Sequence, residues 1–168
     1  MPISDQSNQS WVVETLQKLD LKSMLDVGAG AGTYAHIFAQ HFPNTKRFAV
    51  EAWAPYIQEF ALKDIYVEVF NHDIRDHEYF NYDIIIFGDV LEHMTKEEAL
   101  SVWDKVSKQS SYALISIPIV HYPQDAVHGN PFEEHIKDDW SHEEVLATFP
   151  QITNFTTSAI VGSYLACF

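Results

Sequence analysis

Short apolar runs alternate along the chain with segments whose apolar residues recur at helical spacing. The runs SMLDV, KRFAV, IYVEVF, YDIIIF and YALISI are rich in β-branched and aromatic residues. They are apolar enough to be buried on both faces, as strands of a parallel sheet are. Between them, Tyr34, Phe38 and Phe42 share one face of a predicted helix. This alternation predicts an α/β protein.

Two of the predicted helices begin with a recognisable cap. Thr95 and Glu98 stand at capping-box spacing in TKEEALSVWDKV, and Ser141 and Glu144 repeat that spacing in SHEEVLATF. The remaining apolar stripes are Val12, Leu16 and Leu19; Ile57, Phe60 and Ala61; and Leu100, Trp103 and Val106. Helices on this pattern can cover both faces of the sheet.

The last part of the chain follows a different pattern. ITNFTTSAI and SYLACF are two predicted strands joined around Val161 and Gly162, which indicates a closing antiparallel hairpin. The whole pattern predicts a doubly wound, mostly parallel sheet with this hairpin at its C-terminal end. Residues 1–168 contain no repeat and no linker-like break, so we expect a single domain.

Composition narrows the choice of partners. The chain has 10 basic and 24 acidic residues, a formal net charge of −14, which argues against nucleic acid and anionic membrane surfaces. Its apolar runs are too short to cross a bilayer, and MPISDQSNQS lacks the basic and apolar regions of a signal peptide. We therefore expect a cytoplasmic protein with no membrane partner. Cys167 is the single cysteine, which excludes an internal disulfide and a cysteine-rich metal site.

The segment LDVGAGAGTY follows the first predicted strand, where ligands bind in sheets of this kind. Gly28 and Gly30 allow the backbone to turn tightly and to approach a ligand, and Gly32 allows the following helix to pack closely on the strand. About twenty residues on, Glu51 ends the second strand, where a carboxylate can accept hydrogen bonds from both ribose hydroxyls. Asp73 follows the third strand, within reach of an adenine amino group. The pattern predicts a nucleoside-containing cofactor.

The spacing of the glycines separates two cofactors. A dinucleotide loop, G-x-G-x-x-G/A, would place its third small residue at position 33, which is Thr33. The observed order from Asp26 to Gly32, acid-x-G-x-G-x-G, resembles the first motif of class I S-adenosylmethionine-dependent methyltransferases. Glu51, Asp73 and the stretch FGDVLEHM resemble the next three motifs of that family, and the terminal hairpin resembles its seven-stranded sheet, whose last strand is antiparallel.

The resemblance implies S-adenosylmethionine as the cofactor, with Asp26 attracting its ammonium group directly or through water. It also implies in-line transfer of the methyl group to an oxygen or nitrogen of a small-molecule or carbohydrate-like acceptor. Two alternatives stay open: a non-catalytic module that binds the same cofactor, and a dinucleotide-dependent oxidoreductase. The residues expected to bind the cofactor are Asp26, Gly28, Gly30, Gly32, Glu51, Ala52, Asp73, Ile74 and Asp89.

The expected catalytic residues are His135, Asp89 and His93. His135 lies in the long connection after the fifth strand, which in the resembled family faces the methyl group, and its imidazole can act as a base near neutral pH. Asp89 and His93 belong to GDVLEHM, after the fourth strand.

Asp89, Glu92, His93 and His135 also resemble the divalent-metal site of small-RNA 2′-O-methyltransferases and of some quinone O-methyltransferases. However, the first position here is Asp, and Leu-Glu-His also occurs in methyltransferases that bind no metal. We therefore expect a metal-free site, in which Leu91 packs near the cofactor, Glu92 begins a helix and His93 braces the pocket.

Overall fold

A computed structural model describes residues 4–168. Its strands are β1 (Ser23–Val27), β2 (Lys46–Val50), β3 (Glu68–Phe70), β4 (Ile84–Gly88), β5 (Tyr112–Pro118), β6 (Ile152–Thr157) and β7 (Val161–Cys167). Its α-helices are α1 (Gln9–Leu16), α2 (Thr33–His41), α3 (Ala54–Glu59), α4 (Leu62–Ile65), α5 (Lys96–Gln109) and α6 (His142–Thr148). Single 3-10 turns lie at Ile74–Asp76, Leu91–His93 and Pro131–Glu133.

All seven strands belong to one sheet with the order β3-β2-β1-β4-β5-β7-β6. The first five strands are parallel, and β7 runs antiparallel to both β5 and β6. The predicted fold class is confirmed. Because the strand order reverses between β1 and β4, the carboxyl ends of these two strands form the crevice where doubly wound sheets bind ligands.

The core lies on both faces of the sheet. In β4, Ile85 and Phe87 pack on one face with Trp103 of α5, whereas Ile84 and Ile86 pack on the other face with α1 and α2. Side chains that alternate between two buried faces explain why the central strands read as continuous apolar runs. Within residues 4–168, no helix is long and apolar enough to cross a membrane.

Two predicted strands differ from the observed ones. In IYVEVF only the second half is a strand, because Ile65 ends α4 and Tyr66 packs with α1 and α2 on one face of the sheet. The predicted position of the hairpin turn, around Val161 and Gly162, is also wrong. Val161 and Gly162 pair with Pro118 and Ile117 inside β7, and the chain turns at residues 158–160 instead.

The capping box predicted from the sequence is present at the start of α5 but only half formed at the start of α6. At α5, Thr95 and Glu98 form the full reciprocal capping box. At α6, Ser141 accepts a hydrogen bond from the Glu144 backbone at 3.1 Å, but the Glu144 carboxylate pairs with Lys96 at 2.8 Å. The Glu144 side chain therefore pairs with Lys96 of α5 and does not complete the capping box that the sequence predicts. The apolar stripe predicted for α5 is also shifted, since Leu100 is exposed and the buried residues are Ala99, Val102, Trp103 and Val106.

Gly88, at the end of β4, lies where no side chain fits. A Cβ atom there would be 2.2 Å from the Tyr34 ring. We expect Gly88→Ala to lower the free energy of unfolding by about 1–3 kcal/mol, because the buried ring and the strand must move apart. Denaturant unfolding would measure this. Gly129→Ala is the control, since a Cβ there meets nothing within 4 Å and only its backbone angle is strained. An equal loss in both variants would contradict the steric explanation.

Candidate functional site

A cleft enclosing about 790 Å³ of empty space, part of it open to solvent, lies at the carboxyl ends of β1, β2 and β4. The predicted site residues that line it are Gly28, Gly30, Glu51, Ala52, Asp73, Ile74, Asp89 and His93. The strand ends therefore bring together residues that are far apart in the sequence.

The glycine loop presents bare backbone to the cleft. Gly28 and Gly30 have φ values of +63° and +50°, a conformation that side chains rarely adopt. A Cβ on Gly28 would also be 3.0 Å from the Val90 side chain. Gly32, in contrast, is outside the cleft lining. A Cβ there would lie 2.6 Å from Ile65, so Gly32 allows α2 to approach α4 rather than a ligand.

Asp26 is also outside the cleft lining. Its side chain is buried and accepts a hydrogen bond from the Tyr66 hydroxyl at 2.5 Å. Burial raises the pKa of Asp26 to about 7; the Tyr66 hydrogen bond opposes this rise and the charge of Glu51 adds to it. Asp26 is thus a residue of β1 next to the glycine loop, and the partner of its carboxyl group is a tyrosine of the core.

Glu51 connects the glycine loop to the start of α3. Its carboxylate accepts hydrogen bonds from the backbone N–H of Gly30 at 3.0 Å and of Trp53 at 2.8 Å. Burial raises the pKa of Glu51, while these two hydrogen bonds act to lower it. The side chain is only 4% exposed yet lines the cleft, so a ligand would meet a carboxylate that is already held in a fixed orientation.

Asp73 and Ile74 form the third edge of the cleft. Asp73 caps the 3-10 turn that follows, and its carboxylate pairs with Arg75 at 2.6 Å. Burial acts to raise the pKa of Asp73, but the hydrogen bonds and charge of Arg75 outweigh it and keep this pKa below its ordinary value. Arg75 also pairs with Glu98 on α5. The acid is thus ionised and positioned, although part of its hydrogen-bonding capacity is already used.

At the end of β4, the N-terminal segment lies across the site. Asp89 has a φ value of +57°, and its carboxylate accepts a hydrogen bond from the Asp5 backbone at 2.8 Å. The Ser4 hydroxyl donates to the Gly88 carbonyl at 3.1 Å. Burial raises the pKa of Asp89 to about 6. Sequence reasoning missed Ser4 and Asp5, because no local pattern links them to residues more than eighty positions away.

The long connection after β5 closes the cleft through residues that the sequence analysis did not select. Asn130, Phe132 and Glu133 line it, and the Tyr56 hydroxyl donates to the Glu133 carboxylate at 3.1 Å. Four carboxylates face the cleft against one guanidinium, Arg75, which is already paired; the four are Glu51, Asp73, Asp89 and Glu133. This charge favours a cationic ligand.

Of the predicted catalytic residues, Asp89 and His93 line the cleft, and His135 lies beside His93 with the two rings 4.9 Å apart between centroids. The Nδ1 atom of His93 is 3.1 Å from the Glu134 carbonyl, and that of His135 is 2.6 Å from the Tyr122 carbonyl. A carbonyl only accepts, so each neutral ring carries its proton on Nδ1 and keeps a lone pair on Nε2. Burial lowers the pKa of both imidazoles, which favours the neutral form.

No protein-family model and no curated protein matches this sequence. Solved structures do match it in shape. An S-adenosylmethionine-dependent methyltransferase from Clostridium acetobutylicum is 14% identical with a TM-score of 0.71, over 95% of this chain and 90% of that one. The N-terminal domain of EvdMO1, with S-adenosylhomocysteine bound, is 13% identical with a TM-score of 0.69, over 98% of this chain and 82% of that one.

The mitomycin 7-O-methyltransferase MmcR is 10% identical with a TM-score of 0.68 over 96% of this chain. This chain spans only 54% of MmcR and 56% of a similar protein from Nostoc punctiforme, about half the length of each. At such low identity, the likeness concerns the fold.

The chain has the class I methyltransferase fold. The residues of the cleft are compatible with S-adenosylmethionine. Glycines with positive φ leave space that a Cβ would fill, a buried carboxylate ends β2, and the lining is acidic. S-adenosylmethionine carries a sulfonium and an ammonium group, and such an environment favours both.

Proposed function

We propose that this protein is an S-adenosylmethionine-dependent methyltransferase that acts on an oxygen or nitrogen of a small-molecule or carbohydrate-like acceptor. The observation that carries the proposal is Glu51, a buried carboxylate held by the Gly30 and Trp53 amides at the edge of the cleft. A fixed, charged acceptor in this position suits the two hydroxyls of a ribose. Asp73 and Ile74 would then lie on the adenine side, and Gly28 and Gly30 beside the amino acid portion.

The bound cofactor supplies a methyl group that is already activated for attack. The protein has to align the acceptor with that group and to exclude water. Asp89 and His93 are proposed to face the acceptor, with His135 beside them. If the acceptor is a hydroxyl and no metal ion occupies the site, the Nε2 lone pair of a neutral imidazole can receive its proton. The Ser4 and Asp5 segment covers this end of the cleft and limits access from solvent.

Calorimetric titration with S-adenosylhomocysteine, S-adenosylmethionine and NAD⁺ tests the cofactor directly. We expect the two sulfur compounds to bind with dissociation constants on the order of micromolar, and NAD⁺ not to bind. Binding of NAD⁺ alone would overturn the proposal in favour of an oxidoreductase. Methyl transfer is then tested by following S-adenosylhomocysteine production with a panel of hydroxylated and amine acceptors. Binding without any turnover across the panel would instead support a non-catalytic module.

A further inference from the structure

Glu92 is a buried acid with no visible partner. Its side chain is 2% exposed, and neither carboxylate oxygen has a hydrogen-bond partner among residues 4–168. A buried carboxylate is normally paired, hydrogen-bonded or bound to a metal. This side chain therefore needs a cation or a proton that the described side chains do not supply.

His93 and His135 lie close enough to Glu92 for the three side chains to share one metal ion. One potential ligand atom from each of the three residues lies within 4.8 Å of the other two. Metal-binding histidines usually donate their second ring N–H to a carbonyl or carboxylate, which fixes the tautomer. His93 and His135 already make this contact, with the carbonyls of Glu134 and Tyr122. Both rings therefore leave Nε2 available as a ligand.

We infer that Glu92, His93 and His135 bind one divalent transition-metal ion at the acceptor end of the cleft. Bonds of about 2.0–2.2 Å would place the ligand atoms roughly 3–4 Å apart, so a small inward movement of the side chains completes the site. Two imidazoles and one carboxylate favour zinc, manganese, cobalt or iron over calcium. Asp89 is not part of the cluster, because its carboxylate is held by the Asp5 backbone and the Ser116 hydroxyl. The proposed ligands are therefore three of the four residues that resemble a metal site, and the metal-free expectation is the alternative that the experiment below tests.

The position of this triad beside the cleft suggests a catalytic function for the ion. His93 lines the cleft, so an ion on the triad would border it, and three protein ligands leave at least one coordination position for water or an acceptor oxygen. A metal-bound hydroxyl loses its proton more readily than a free one. The imidazoles would then act as ligands, and no free histidine base would be needed. This catalytic role depends on the proposed methyltransferase function, whereas binding of the ion does not.

Metal binding can be measured without any substrate. Protein without a histidine tag is stripped with chelator, dialysed against Mn²⁺, Zn²⁺ or Co²⁺, and analysed for bound metal. We expect one ion per chain and, with Co²⁺, an absorption spectrum of a nitrogen- and oxygen-ligated ion. Glu92→Gln keeps the shape of the side chain and removes its charge, and His135→Ala removes a half-buried imidazole. Each should weaken metal binding by about 100-fold or more, because a ligand is lost.

The controls are residues of the same types nearby. Glu97→Gln changes an exposed carboxylate on the first turn of α5, and His121→Ala removes a 69% exposed imidazole from the same connection as His135. Both should bind metal like the wild type. The inference is overturned if the wild type binds no stoichiometric ion, or if the control variants lose the ion equally. It is also overturned if Glu92→Gln stabilises the fold and leaves metal binding unchanged, since Glu92 is then a protonated structural acid.

S-adenosylhomocysteine binding by the same preparations separates this inference from the proposed function. Stoichiometric metal without cofactor binding would support the triad and contradict the methyltransferase proposal. Cofactor binding without metal would support the methyltransferase proposal and contradict the metal-binding triad. In Glu92→Gln and His135→Ala, cofactor affinity within about threefold of the wild type would also show that these variants are folded.

Discussion

Glu51→Ala is expected to lower the affinity for S-adenosylhomocysteine by about 100-fold, which corresponds to ~2.7 kcal/mol. The substitution removes the charged acceptor proposed for the ribose hydroxyls. It also leaves the Gly30 and Trp53 amides without their acceptor, so the glycine loop loses its connection to α3. Calorimetry at constant pH gives the affinity, and circular dichroism shows whether the fold is retained.

Two further variants make the measurement specific. Glu51→Gln keeps one side-chain oxygen for a backbone amide but loses the charge, so we expect an intermediate affinity. Glu59→Ala removes an exposed acid from the end of α3 and should bind like the wild type. Unchanged binding in Glu51→Ala would remove Glu51 from the cofactor site. An equal loss in Glu59→Ala would point to a general effect of negative charge instead.

Asp26→Asn is expected to remove a pH-dependent loss of stability. The pKa of Asp26 is about 7 in the folded protein, compared with an ordinary value of 3.8. Between these values the folded state binds more protons than the unfolded state, so this carboxyl group makes the wild type less stable as the pH rises from about 4 to 7. The difference between these two pKa values corresponds to roughly 4 kcal/mol. Asparagine cannot ionise and can still accept the Tyr66 hydrogen bond.

The test is denaturant unfolding of both proteins at several pH values between 4.5 and 8. The stability of Asp26→Asn relative to the wild type should increase as the pH rises and then level off above about pH 7. Taking this difference removes the contributions of Asp89 and Glu92, which are also buried acids, and leaves only the interaction between Asp26 and Glu51. Asp20→Asn, whose carboxylate is 84% exposed, is the control. A difference that does not change with pH would show that Asp26 is already ionised at low pH in the fold.

Local patterns were sufficient for the fold class and for the position of the cleft. The central strands are buried on both faces, so they appear in the sequence as uninterrupted apolar runs, and the helices between them carry a single apolar stripe. Gly28, Gly30, Glu51 and Asp73 could be selected because each follows a strand. Carboxyl ends of parallel strands meet at one edge of the sheet, so the order of elements is enough to bring these residues together.

Other features of the fold and the site depend on tertiary packing and are not contained in these local patterns. The turn at residues 158–160, the helical start of IYVEVF and the Tyr66 partner of Asp26 all depend on which distant surface a side chain meets. The same is true of the cover formed by Ser4 and Asp5.

The Glu92, His93 and His135 cluster shows most clearly why some features of the site cannot be predicted from local sequence patterns. The sequence around Glu92 and His93 resembles a known metal site, but it favours a metal-free pocket. Two properties bear on the choice: whether the Glu92 carboxylate has a partner, and which ring nitrogen of each histidine is free. The first depends on the burial of Glu92 among the described residues. The second depends on the carbonyls of residues 122 and 134, in a connection of irregular structure. Burial and hydrogen-bond pairing are properties of the folded chain, because they arise between segments that no periodicity links.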